Sequence, residues 1–238
     1  MDLVVEWLGR VDYRVAWARQ HDLVGARAAG TIPDTLLLME HPPVLTLGRQ
    51  ADPSFVRASL LELDARGIEL IRVERGGEVT YHGPGQLVAY PIVRLADRGL
   101  LLRPFVRALE AAMAETCATY GVTAGRRDGH PGCWVDPEGH APRKIGALGI
   151  RVEQGVSYHG IALNVTTQLD DFALIDPCGM PDVAVTSIAA EAGWPDTSPT
   201  TASVRDAADR FAATFAGALD AGGGGLGSPA SIPALAGG

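Results

Sequence analysis

Apolar positions recur along this chain in two rhythms, and the switches between them mark out its elements. Residues 4–8 carry the short apolar run of a first strand. Asp12 then stands where a helix N-cap would, and an amphipathic stretch runs to about Ala29, with Gly30 as the stop. Residues 34–40 (DTLLLME) have the length and apolarity of a buried strand. His41-Pro42-Pro43 breaks it, and residues 44–47 are expected to be its partner strand. Residues 58–66 fit a short helix, and residues 68–74 alternate as a strand should.

Residues 75–86 (RGGEVTYHGPGQ) are rich in glycine, and residues 87–92 continue extended. A 3.6-residue period predicts a long helix over residues 103–120, ended by Gly121. Residues 132–135, 145–152 and 156–165 read as strands joined by short turns. From Phe172 the chain enters a short turn or helix that reaches Asp176-Pro177-Cys178-Gly179-Met180, and a final helix is predicted over residues 203–219. Strands in pairs with interspersed helices, lacking strict βαβ alternation, predict an α/β (α+β) fold: a mixed β-sheet with packed helices. Residues 1–220 are expected to form a single domain. Residues 221–238 are an uncharged tail rich in Gly, Ala, Ser and Pro, expected to be disordered for want of apolar surface to bury.

Composition narrows the function. Among 238 residues, no apolar run approaches the roughly 18 needed to span a bilayer, and the N-terminus carries no secretory signal. A cytoplasmic, non-membrane protein is expected. The formal net charge of -8 argues against a duplex nucleic-acid binder. Arg126, Arg127, Arg143, Lys144 and Arg151 nonetheless cluster in mid-chain, either as a patch for an acidic protein partner or as a solvated basic loop. Of the 20 basic side chains, Lys144 is the sole lysine. Unlike Arg, a lysine can be deprotonated, so it either survives here by chance or does what Arg cannot.

An odd count of 3 cysteines suits reduced thiols. Cys117, on the long helix, and Cys133, on a strand, read as core thiols. Cys178 lies on a turn between Pro177 and Gly179, which is either a structural loop or a place where a substrate carbonyl approaches backbone N–H groups. A free thiol titrates near 8.5 and needs a positive charge or a base to become nucleophilic at neutral pH. Lys144, His82 and His159 are the available activators. His130, Cys133 and His140 have no regular metal-ligand spacing, and no metal site is predicted. His41, ahead of two prolines, reads as a turn former. Gly76, Gly77, Gly83 and Gly85, with Ala147, Gly149, Gly160 and Ala162, leave either close strand packing or a narrow apolar slot for an unbranched chain.

Four segments together resemble the lipoyl(octanoyl) transferase family: RGGEVTYHGPGQLVAYPI (75–92), RKIGALGIRV (143–152), YHGIALNV (158–165), and DPCGM with a following VTS (176–187). The likeness is clear over residues 34–187 and looser over residues 3–30. It implies the fold of the biotin and lipoate protein ligase catalytic domain and transfer of an octanoyl group through a Cys178 thioester, with Lys144 lowering the thiol's pKa. It also implies a substrate site of Arg75, Gly76, Gly77, Glu78, Val79, Thr80, Tyr81, His82, Ala147, Leu148, Gly149, Gly160, Ile161 and Ala162. The implied donor is octanoyl-acyl carrier protein. The implied acceptors are apo lipoyl domains of 2-oxoacid dehydrogenases and the glycine cleavage H protein, and no cofactor is required. The alternatives are an ATP-dependent lipoate or biotin ligase of the same fold, a non-catalytic binding module for acyl carrier protein, and a Cys-His peptidase, which has no pairing signature in its support.

Overall fold

The apolar run DTLLLME becomes strand β2 (Asp34–Glu40), buried along its whole length. Its alternation explains why: Leu36 and Leu38 enter one core, and Leu37 and Met39 enter another on the opposite face. The structure, a computed structural model, describes residues 2–180, 183–195 and 200–223, apart from the side chains of Cys178, Thr201, Ala202 and residues 221–223. β2 belongs to a large mixed sheet with β1 (Leu3–Arg10), β6 (Gln86–Ile92), β7 (Ala124–Arg127), β8 (His130–Val135), β9 (Arg143–Glu153) and β10 (Val156–Asn164). Their order is β1-β2-β6-β10-β9-β8-β7, with the short β11 (Ala184–Val185) alongside the start of β9. β1 and β2 run parallel, linked by helix α1 (Tyr13–Ala28), whose N-cap Asp12 accepts from the amides of Arg14 and Val15.

Helices cover both faces. On one, α3 (Leu102–Ala118) and α5 (Thr201–Gly223) contribute Phe105, Leu109, Met113, Phe211 and Phe215 to a core with Leu36, Leu38, Leu87 and Ile161. On the other, α1 places Ala16 against Leu37, Met39, Val88 and Tyr90. Cys117 and Cys133 are buried, as expected. Helix α5 runs to Gly223, a little past the expected domain end at residue 220, and the rest of that tail lies outside the described residues.

Residues 44–47 depart from expectation. They form β3 (Val44–Leu47), but β3 pairs with β4 (Glu69–Arg72) and β5 (Val79–His82) in a separate three-stranded sheet, not with β2. Pro42 has no N–H to donate and biases His41 away from a helical turn, and the chain runs on from β2 into the second sheet. The His41 ring fixes the exit: Nδ1 lies 2.7 Å from the Val11 carbonyl and Nε2 2.8 Å from the Tyr90 hydroxyl. His41 is thus a buried bridge rather than merely a turn former. The short helix α2 (Leu60–Ala65), capped by Ser59, carries the chain from β3 to its parallel neighbour β4. Helix α4 (Ile188–Glu191) follows β11.

Candidate active site

The small sheet's β5 and the loop before it stand over the α1-side face of β9 and β10, and a narrow cavity lies between them. Arg75, Gly77, Glu78, Val79, Thr80 and His82 line it from one side, and Ala147, Leu148, Gly149, Gly160, Ile161 and Ala162 from the other. Ala147 pairs with Ala162 and Gly149 with Gly160 across the two strands, so four small residues form its floor. Leu148 and Ile161, one step out of phase, give their side chains to the main core.

Both readings of the glycines hold together. A Cβ on Gly160 would sit 2.0 Å from the Ala89 carbonyl oxygen, and one on Gly149 would meet the Gly76 oxygen at 2.8 Å. Close packing and an open slot are two consequences of one absence of side chains. Gly76 and Tyr81 do not line the cavity. The Gly76 amide bonds the Ile150 carbonyl at 3.1 Å, tying the loop to β9. Tyr81 points to the opposite face of β5, its ring 5.3 Å from that of Phe172.

A second, smaller cavity shares Thr80, Ala147 and Ala162 with the first and adds Lys144, Gln86, Asn164 and Pro177. Lys144 is 4% exposed. Its Nζ donates to the Pro131 carbonyl at 3.0 Å and lies 5.0 Å from the centre of the Trp134 ring. Pro177, which lines the Lys144 cavity, opens the 3₁₀ turn Pro177–Gly179; Cys178 is the next residue of that turn, and its side chain lies outside the described atoms. The turn is pinned by the Asp176 amide on the Phe55 carbonyl at 2.8 Å and by an Arg57–Asp176 ion pair. Gly179 has φ +69, and a Cβ there would strike the Phe55 ring and the Glu78 stem. The amides of Gly179 and Met180 bond the carbonyls of Asp176 and Pro177, so these two N–H groups are spent inside the turn and do not serve an oxyanion.

The chain's matches to known proteins identify its family and its fold. Residues 12–216 match the lipoyl protein ligase A/B catalytic domain. An octanoyltransferase of Chloroflexus aggregans is 46% identical over 219 residues, covering 92% of this chain and 95% of its own. One from Mycolicibacterium gilvum is 44% identical over 217 residues, covering 91% and 85%. The chain belongs to the octanoyltransferase family. Among solved structures, a bipartite lipoate protein ligase of Thermoplasma acidophilum superimposes with a TM-score of 0.61 at 15% identity, covering 94% of this chain and 91% of that one. That likeness establishes the shared fold, with its mixed sheet and packed helices.

Family membership directs attention to polar residues around the slot that the sequence reading did not assemble. Tyr13, Tyr90 and His159 also line the first cavity, and His41 stands behind them. Burial holds His41 neutral, its pKa lowered to about 4. Because the Val11 carbonyl can only accept, Nδ1 carries the proton, and Nε2 accepts from the Tyr90 hydroxyl. His82 is fixed by the same logic. The Thr186 carbonyl accepts from Asn164 Nδ2 at 2.9 Å, Asn164 Oδ1 from Gln86 Nε2 at 2.9 Å, and Gln86 Oε1 from His82 Nδ1 at 2.8 Å. Burial, then the neighbouring His41, lowers the His82 pKa. His82 therefore keeps Nε2 unprotonated on a ring that lines the slot. Arg75 is held by Thr46, through Oγ1 at 2.9 Å and the carbonyl at 2.5 Å. His159 takes a left-handed backbone, φ 54, inside β10, with its amide donating to Gln20 Oε1 at 2.7 Å. Period-2 spacing from β6 could have found Tyr90. Nothing local in the sequence brings Tyr13, His41 and His159 to one place.

Proposed function

We propose that this chain moves an octanoyl group from octanoyl-acyl carrier protein, through a thioester on Cys178, to a lysine of an apo lipoyl domain such as those of 2-oxoacid dehydrogenases or the glycine cleavage H protein. Membership of the octanoyltransferases makes it an acyltransferase and sets aside the ATP-dependent ligase. The observation that carries the residue assignment is the cavity lined by the buried Lys144 and by Pro177, which shares Thr80, Ala147 and Ala162 with the apolar slot floored by small residues.

The Lys144 ammonium stabilises the Cys178 thiolate. The thiolate attacks the octanoyl carbonyl, a C–S bond forms, and the tetrahedral intermediate breaks its bond to the carrier's sulfur, which leaves as a thiol carrying the proton of the Lys144 ammonium. Acylation removes the anion that held the Lys144 proton in place. Having given up that proton, the Lys144 amine accepts one from the incoming lysine as its nitrogen attacks. The amide forms, and the Cys178 thiolate leaves beside a restored ammonium. The acyl group enters already activated as a thioester, so ATP has no step to perform. Among the described residues no helix is long and apolar enough to cross a membrane, and a cytoplasmic site of action completes the reading.

The test is an intact mass spectrum after incubation with octanoyl-acyl carrier protein without ATP. The expected result is a hydroxylamine-labile octanoyl adduct, absent from Cys178→Ala and transferable to an apo lipoyl domain. Lys144→Arg keeps the charge but cannot take up a proton. It should slow transfer from the isolated acyl-enzyme by about 100-fold or more while slowing its formation less. Transfer that needs ATP and free octanoate would overturn the reading.

A further inference from the structure

On the far side of Lys144 the surface holds a groove of about 1080 Å³ between the start of α3 and the β7–β8 hairpin. Leu102, Arg103, Arg107, Arg126, Arg127 and His130 line it, against the carboxylates of Glu110 and Asp128. Glu110 and Asp128 are both taken up by Arg126. Arg103 and Arg107 are exposed and have no ion-pair partner among the described residues. On a chain of net charge -8, a groove lined by four arginines against two carboxylates is locally positive. Leu101 and Leu102, 76% and 51% exposed, add an apolar centre at its edge. Pro131 lines the groove, and its carbonyl is the acceptor of Lys144 Nζ.

We infer that this groove is the docking surface for the acidic carrier protein that delivers the octanoyl thioester. The inference rests on the transferase reading above and names which partner uses which face. A carrier protein presents acidic side chains and tethers its acyl arm through a phosphodiester, which unpaired guanidinium groups recognise.

The experiment compares wild type with Arg103→Glu/Arg107→Glu, two exposed positions on α3 whose change spares the core. A glutamate at position 103 also suits the first turn of a helix. Three substrates are read: octanoyl-carrier protein, octanoyl-N-acetylcysteamine, which has neither carrier nor phosphate, and the apo lipoyl domain. The expected result is a rise of about tenfold in KM for octanoyl-carrier protein, with a weakened salt dependence. Turnover of the small thioester and KM for the lipoyl domain should be unchanged. An unchanged carrier KM overturns the inference. So does a rise in lipoyl-domain KM instead, which would assign the groove to the acceptor, or an equal loss with the small thioester, which would mark a general structural defect. Failure of wild type itself to form an octanoyl adduct from either thioester would strike the transferase reading, a result distinguishable from all of these.

Discussion

Single residues suggest a chemistry from the sequence where that chemistry depends on residue type alone. The sole lysine and the cysteine between Pro177 and Gly179 are of this kind. His41 is not, because its role depends on Val11 and Tyr90 reaching it from distant parts of the chain. Its burial has a measurable consequence. A histidine held at a pKa of about 4 when folded and near 6.5 when unfolded binds fewer protons in the native state, so stability is intact above pH 6.5 and falls as pH drops toward 4. His82 and His159 are lowered by the same cause and add in the same direction. Carboxylates such as Glu74 and Glu191, with lowered pKa values, lose their contribution mainly below about 4.5. The interval between is therefore mostly the histidines' own. His41→Gln can keep both hydrogen bonds without titrating. Urea unfolding at pH 7 and pH 4.5 should show wild type losing stability on acidification, with the variant losing roughly 2–3 kcal/mol less. Equal losses would mean that His41 is not neutral in the folded chain.

At the level of elements, most strands and helices follow from periodicity, caps and breakers, as Asp12, Ser59 and Gly121 illustrate. Pairing does not. The β2–Pro-Pro–β3 stretch has the local look of a hairpin, yet its two strands enter different sheets, because partner choice is settled by long-range burial and not by the turn. The same limit applied to the glycines, whose two readings could not be separated until the opposing backbones were in place. They now separate by position. Gly160→Ala drives a Cβ into the Ala89 carbonyl, a rigid ladder atom of β6, and should cost about 3 kcal/mol in unfolding free energy. Gly149→Ala meets the Gly76 carbonyl oxygen at 2.8 Å and the Arg75 stem at 3.1 Å, a milder clash than the 2.0 Å at Gly160. It should cost less stability and instead raise KM for the octanoyl donor. Paired denaturation and kinetic measurements check both, and a larger stability loss at position 149 would reverse the assignment.

For the whole molecule, the two sheets make the site by standing apart. Neither sheet contains the slot, which exists only where β5 lies across the β9–β10 face, bounded at one end by the Lys144 cavity and lined elsewhere by Tyr13, Tyr90 and His159. Under the proposed function, the acyl chain in this slot would meet Val79, Ala147 and Ala162 by apolar contact. Discrimination should then grow by increments. Each methylene withdrawn from water contributes about 0.8 kcal/mol, or roughly fourfold in kcat/KM. Acylation by hexanoyl-carrier protein, two methylenes short, should therefore run about 15-fold below octanoyl. Chains longer than eight carbons should fall off more abruptly if the ring cluster closes the slot, since buried aromatic and imidazole rings cannot yield as open solvent does. A smooth gain through ten and twelve carbons would show instead that the slot runs out to solvent past these rings, and would remove Tyr13, Tyr90 and His159 from the measuring of the chain.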